Sequence, residues 1–164
     1  MKKLTTVTLG ITLLLASGVC TFHCYGKKKT EKTKTKGSTM TTKRIKTASG
    51  LEYEIVKDAP AGAISAQKGK KAKVHYTGWL NENGQPGKKF DSSVDRGQPF
   101  EFAVGMGFVI AGWDEMVALM QVGQKVRVYL PSKLGYGSRG AGAAIPANAD
   151  LIFDIELLCI AVYR

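Results

Sequence analysis

Histidine and cysteine are the scarcest reactive side chains in this 164-residue chain, with two of the first and three of the second. Cys20, His23 and Cys24 lie close together, but two thiols and one imidazole fall a ligand short of a structural zinc site. They sit in a lysine-rich stretch with no scaffold, so a loose disulfide or free thiols are expected there and no metal. Cys159 falls in a strand pattern and reads as a small buried apolar residue. His75 alternates along another strand and reads as a structural side chain rather than a base. The usual catalytic signatures are missing as well. There is no glycine-rich phosphate loop, no His-Glu-x-x-His pair and no serine in a nucleophile elbow. Neither a cofactor nor covalent catalysis is expected.

Acidic residues are also few, 13 against 24 lysines and arginines, for a formal charge of +11. The imbalance is local. Residues 1–50 hold eleven basic side chains and one acidic, whereas residues 51–164 hold thirteen and twelve. A nearly neutral second part excludes a nucleic-acid footprint, and the basic tail is expected to be a solvated segment, with contact to anionic surfaces as the alternative. Long hydrophobic runs are absent except for Leu4 to Phe22, which follows Met1-Lys2-Lys3. That order is the plan of a secretory signal, with Ala16-Ser17-Gly18 as the small residues before cleavage. Residues 1–18 are therefore expected to be a signal peptide and the protein to be exported, periplasmic or secreted. Lipidation at Cys20 and a retained membrane anchor are the alternatives. Residues 19–46 are dominated by Lys and Thr and are expected to be a disordered linker. Residues 47–164 are expected to be the folded domain.

Within that domain helical periodicity is rare. Only Phe108 to Met120 sustains it, with Val109, Trp113, Met116 and Met120 on one stripe. Asp114 and Glu115 fall in its first turn, where carboxylates oppose the positive end of the dipole, and Gly123 supplies a stop. Period-2 alternation marks strands from Leu51 to Ile55, Val74 to Leu80, Phe100 to Val104 and Val126 to Leu130, with a last strand from Leu151 to Val162. Asn81 to Lys89 reads as a loop and Gly135 to Asn148 as a long flexible flap. The fold expected is α+β, a twisted antiparallel sheet of about five strands wrapped on one short amphipathic helix. Tyr76, Phe90, Phe100, Trp113, Tyr136 and Phe153 are too many aromatic rings for one small core, and several flank loops and glycines. An apolar cleft is the expectation.

Five segments, in order, sharpen this reading: Val74-His75-Tyr76-Thr77-Gly78, Lys89-Phe90-Asp91-Ser92-Ser93, Val109-Ile110-Ala111-Gly112-Trp113, Gly135-Tyr136-Gly137 and Leu151 to Leu158. Together they resemble the FKBP peptidyl-prolyl cis-trans isomerases over roughly residues 48–160. The lead-in Thr47 to Tyr53 and the flap Gly137 to Ala143 resemble the exported bacterial macrophage-infectivity-potentiator (Mip) type. The resemblance implies a proline-binding pocket of Tyr76, Phe90, Asp91, Phe100, Val109, Ile110, Trp113, Tyr136, Ile145 and Phe153. It implies catalysis resting on Asp91, Tyr136, Ile110 and Tyr76. Asp91 is further expected to pair with Arg96 and accept a hydrogen bond from Tyr76. Proline-containing polypeptides are the implied substrates and macrolides of the tacrolimus or rapamycin type the implied inhibitors. A non-catalytic proline-binding chaperone or a surface-adhesion module on the same domain is the alternative. Ala141 and Ala144 are small for the flap, implying a looser rim. The tail lacks the apolar periodicity of the Mip-type dimerisation helix, so a monomer is expected.

Overall fold

The structure is a computed structural model, and it describes residues 43–161. The expected signal peptide, nearly all of the expected linker, and Cys20, His23 and Cys24 lie outside the described residues. Seven strands form one antiparallel sheet: β1 (Ile45–Lys46), β2 (Glu52–Lys57), β3 (Lys71–Glu82), β4 (Gln85–Ser92), β5 (Phe100–Ala103), β6 (Lys125–Leu130) and β7 (Leu151–Ile160). Their order is β1-β2-β6-β7-β3-β4, with β5 paired to β3 beside β4. A single helix, α1 (Ala111–Leu119), packs its Trp113, Met116 and Val117 into the core. This is the expected α+β arrangement, with two more strands than expected.

Both extra strands have a physical reason for being hard to read. β4 was hidden by Pro86 and Gly87, which signal a loop. An edge strand tolerates proline because no outer neighbour needs its N–H. The connection shrinks to Asn83-Gly84, with φ of +54° and +84°, a two-residue hairpin turn. Asn81 steadies it by accepting the Gly84 N–H at 2.7 Å. β1 is two residues long and lies inside the span expected to be linker, so regular structure starts two residues before Thr47. The last strand, β7, lies inside the sheet between β6 and β3. A short 3-10 turn, Ser132–Leu134, precedes the expected flexible flap, and a second, Gly137–Arg139, folds its first part. A pair of backbone hydrogen bonds between Ala141 and Ile145 follows them.

Alternation does the rest. Val126, Val128 and Leu130 of β6 and Leu151, Phe153, Ile155 and Leu157 of β7 face the helix and are buried. Each such side chain contributes roughly 1.5–3 kcal/mol of transfer free energy. The helix is shorter than its apolar stripe. Ile110 is extended (φ −58°, ψ 147°), so Phe108 to Ile110 form a loop, and Met120 is extended again at the other end. Gly112 lets the helix approach β6: a Cβ there would stand 2.2 Å from a Leu130 methyl. Cys159 is buried, as expected.

Candidate active site

One end of the helix opens into a cavity of about 440 Å³. Each wall comes from a different element. Tyr76 points in from β3, Phe90 and Asp91 from β4, Phe100 from the start of β5, and Phe153 from β7. The loop before the helix adds Gly107 to Ile110, α1 adds Trp113, and Tyr136 comes from between the two 3-10 turns. Gly78 makes the far wall possible, since a Cβ there would meet the rings of both Phe90 and Phe153 at 2.7 Å.

Trp113 lies at the bottom and is only 4% exposed. Its ring meets Tyr76 at 4.9 Å and Phe153 at 5.3 Å, both edge to face, the arrangement aromatic quadrupoles favour. The indole N–H is the one buried side-chain polar atom without a partner among the described residues. Ile110 caps the helix, its carbonyl accepting the N–H groups of Trp113 (2.9 Å) and Asp114 (3.2 Å). Its own N–H lies ahead of the first helical turn, where backbone donors have no intrahelical acceptor.

One wall is charged. The Tyr76 hydroxyl donates to the Asp91 carboxylate, and Arg96 donates to the same carboxylate. A second Arg96 nitrogen donates to the Tyr76 oxygen at 2.9 Å. Burial pushes the Asp91 pKa up, but the hydrogen bonds from Tyr76 and Arg96 and the guanidinium charge outweigh it. The carboxyl is held below its ordinary range. Burial, then the bond to Asp91, raises Tyr76. Burial, then the charge of Asp91, raises Tyr136, whose side chain borders the cavity at 39% residue exposure. At neutral pH the wall therefore carries an ionised carboxylate beside two protonated phenols.

His75 stands behind this wall with Nδ1 3.1 Å from the hydroxyl of fully buried Ser93. The same hydroxyl accepts the Tyr76 N–H at 2.8 Å, so the pair fixes the backbone under Tyr76. Asp114 was expected to serve the helix dipole. It lies in the first helical turn as expected, and its carboxylate also accepts the N–H groups of Gly105 (2.9 Å) and Gly107 (2.7 Å), tying the preceding loop to the helix.

Nine of the ten pocket residues expected from the sequence line this cavity together. Ile145 does not. It is 5% exposed within the core, and its backbone pairs with Ala141. Gly107 and Phe108 take part although neither was expected to. The sequence signal for Phe108 was present but misassigned, because it was counted into the helix.

Comparison with known proteins decides the family. The sequence model described as FKBP-type peptidyl-prolyl cis-trans isomerase matches residues 62–158. The chain belongs to that family. This isomerase is 54% identical over 97 residues to FK506-binding protein 2 of Dictyostelium discoideum, covering 59% of this chain and 70% of that protein. It is 52% identical over 105 residues to the FK506-binding protein of Neisseria meningitidis serogroup A, covering 63% and 93%. Among solved structures, AtFKBP13 superposes on the isomerase with a TM-score of 0.64 at 37% identity, over 73% of this chain and 99% of that one. FkpA from Escherichia coli gives 0.63 at 33% identity, over 72% and 51%.

Proposed function

We propose that this isomerase works on Xaa-Pro bonds of exported proteins, with the aromatic cavity as the proline site. The observation that carries the reading is a cavity floored by Trp113 and walled on one side by the Tyr76–Asp91–Arg96 network. The chemical task is rotation about an amide with a barrier of roughly 18–20 kcal/mol, which relaxes unaided over about 10–100 s. No bond breaks, so no nucleophile is required. The planar amide is charge-separated and well solvated, and the twisted amide is less polar. A dry aromatic cavity therefore disfavours the planar state more than the twisted one, which lowers the barrier by difference.

In this mechanism the Trp113 indole carries the proline ring, and Phe90, Val109, Ile110 and Phe153 enclose it. The Ile110 N–H and the Tyr136 hydroxyl hold neighbouring substrate carbonyls. Asp91, kept ionised by Arg96 and Tyr76, shapes the field at the carbonyl as the amide turns. A thousandfold acceleration requires only about 4 kcal/mol of such difference. A protease-coupled assay on Xaa-Pro peptides, with and without a macrolide of the tacrolimus type, tests the reading. Turnover that the macrolide abolishes is expected. A folded protein that accelerates nothing overturns it.

The protein acts as an exported monomer of the Mip-like type, with residues 1–18 removed and residues 19–46 as a linker. Support comes from the basic start and the apolar run that follows it. Intact mass of the mature protein is the test. A product retaining Met1, or carrying acyl chains, sinks the soluble exported form.

A further inference from the structure

Next to the proline cavity lies a second groove of about 490 Å³, lined by Arg96, Gln98, Pro99, Phe100 and Glu101. Phe100 is common to both, 38% exposed, with one side against Tyr76 and Trp113 and the other stacked on Phe102. The groove runs onto β5, and β5 is an edge. Among the described residues it ladders with β3 alone, from Lys71↔Ala103 to Val74↔Phe100. A strand paired on one side presents backbone N–H and C=O groups on the other.

We propose that this groove is a second subsite, which takes the extended backbone of the substrate chain flanking the proline. The proposal rests on the cavity being the proline site. Four observations favour a polypeptide backbone as the occupant. The groove is continuous with the cavity through Phe100, so one chain can enter both. The strand edge offers hydrogen bonds that any sequence can accept, as strand addition does elsewhere. The charges are already matched, Arg96 by Asp91 and Glu101 by Lys73 at 2.8 Å, so the groove selects weakly among flanking side chains. The lip is preorganised: Gln98 N–H donates to the Ser93 carbonyl at 3.2 Å and Pro99 fixes its own φ, so little ordering remains for binding. β5 is four residues long, and at about 3.3 Å per residue a flanking segment of similar length would match it.

The test compares a short Xaa-Pro tetrapeptide with the same peptide lengthened by about four residues on one side or the other. Extension in one direction should raise kcat/KM about fivefold or more, through KM rather than kcat, because binding gained away from the reacting bond is uniform. N-methylating the added amides should remove the gain. Gln98→Trp, which fills the groove from outside the cavity, should leave the tetrapeptide unchanged and also remove it. A gain under about twofold in both directions, or one that survives both N-methylation and Gln98→Trp, overturns the subsite. Failure to turn over even the tetrapeptide removes the isomerase reading itself, and the subsite with it. The tetrapeptide alone thus tells the two failures apart.

Discussion

The molecule builds the same constellation twice, a tyrosine, a carboxylate and an arginine, on opposite faces of one sheet. On the outer face Tyr129 donates to Glu54 at 2.5 Å, and Arg44 lies 3.7 Å over the Tyr129 ring while pairing with Glu54 at 3.4 Å. On the inner side Tyr76 donates to Asp91, and Arg96 serves both. In each, burial first and the carboxylate second push the phenol pKa up. What differs is what the set faces. The outer one continues into a polar layer in which Arg127 grips Asp154 with two bonds of 2.6 and 3.0 Å. The inner one faces Trp113 and the aromatic cavity. Identical side-chain chemistry is thus a fastening on one face and part of a site on the other, and composition alone cannot separate them.

The comparison breaks most completely if the floor is removed. Trp113→Ala should abolish measurable isomerase activity and macrolide binding together. It should also cost stability on the order of 3–5 kcal/mol, because the ring is almost fully buried. Melting temperature and turnover on the same preparation check it, and normal turnover in a folded variant would move the site elsewhere. Next comes a matched pair. Asp91→Asn should lower kcat/KM about ten- to a hundredfold, equivalent to roughly 1.4–2.8 kcal/mol, with little change in melting temperature. Glu54→Gln should do the reverse, costing about 1 kcal/mol of stability and leaving efficiency per folded molecule intact. If both variants lose only stability, the inner set is a fastening too. Smaller again is Arg44→Ala, an exposed partner whose loss should cost no more than about 1 kcal/mol and change no rate.

The asymmetry between the faces also explains how much could be read beforehand. Periodicity places a side chain on a face, and it located five strands and the helix, whereas the nine cavity residues were implied by the family resemblance. It says nothing of bonds between distant elements. Asp114 was assigned to its own helix because spacing put it in the first turn. It does lie there, but its bonds to Gly105 and Gly107 follow from how the loop folds back. Ile145 and Phe108 were exchanged for a related reason. Whether a loop side chain enters a cavity or the core depends on backbone angles that the alternation rules do not reach. β4 was lost to Pro86-Gly87, whose local signal is right for a loop and overridden by pairing with β3. The Arg96–Asp91 pair was anticipated, because a carboxylate among aromatics needs a compensating charge.

Across the physiological range the expected effect is nil, and for that reason the pH dependence of catalysis is the most diagnostic test. Asp91 has a folded-state pKa held below the ordinary carboxylate value, near ~3.9. A depressed carboxyl contributes stability that is fully present above its unfolded pKa and is lost as pH falls through the folded one. Tyr76 and Tyr136 are shifted the other way, above the ordinary phenol value of ~10, so both keep their protons well past neutrality. No group that we assign to the site therefore changes charge between about pH 5 and 9, and kcat/KM should be flat across that range. It should fall only at pH below the ordinary carboxylate value, where Asp91 takes up a proton, its bonds to Arg96 and Tyr76 weaken and the field at the cavity disappears. Asp91→Asn should erase that acid limb and run flat at its lower level, while Glu54→Gln should keep it. The readout is efficiency normalised to folded protein by near-ultraviolet dichroism at each pH, which separates the catalytic limb from acid unfolding. An acid limb that persists unchanged in Asp91→Asn would assign it to another carboxyl, and the two tyrosine networks would then differ in position but not in kind.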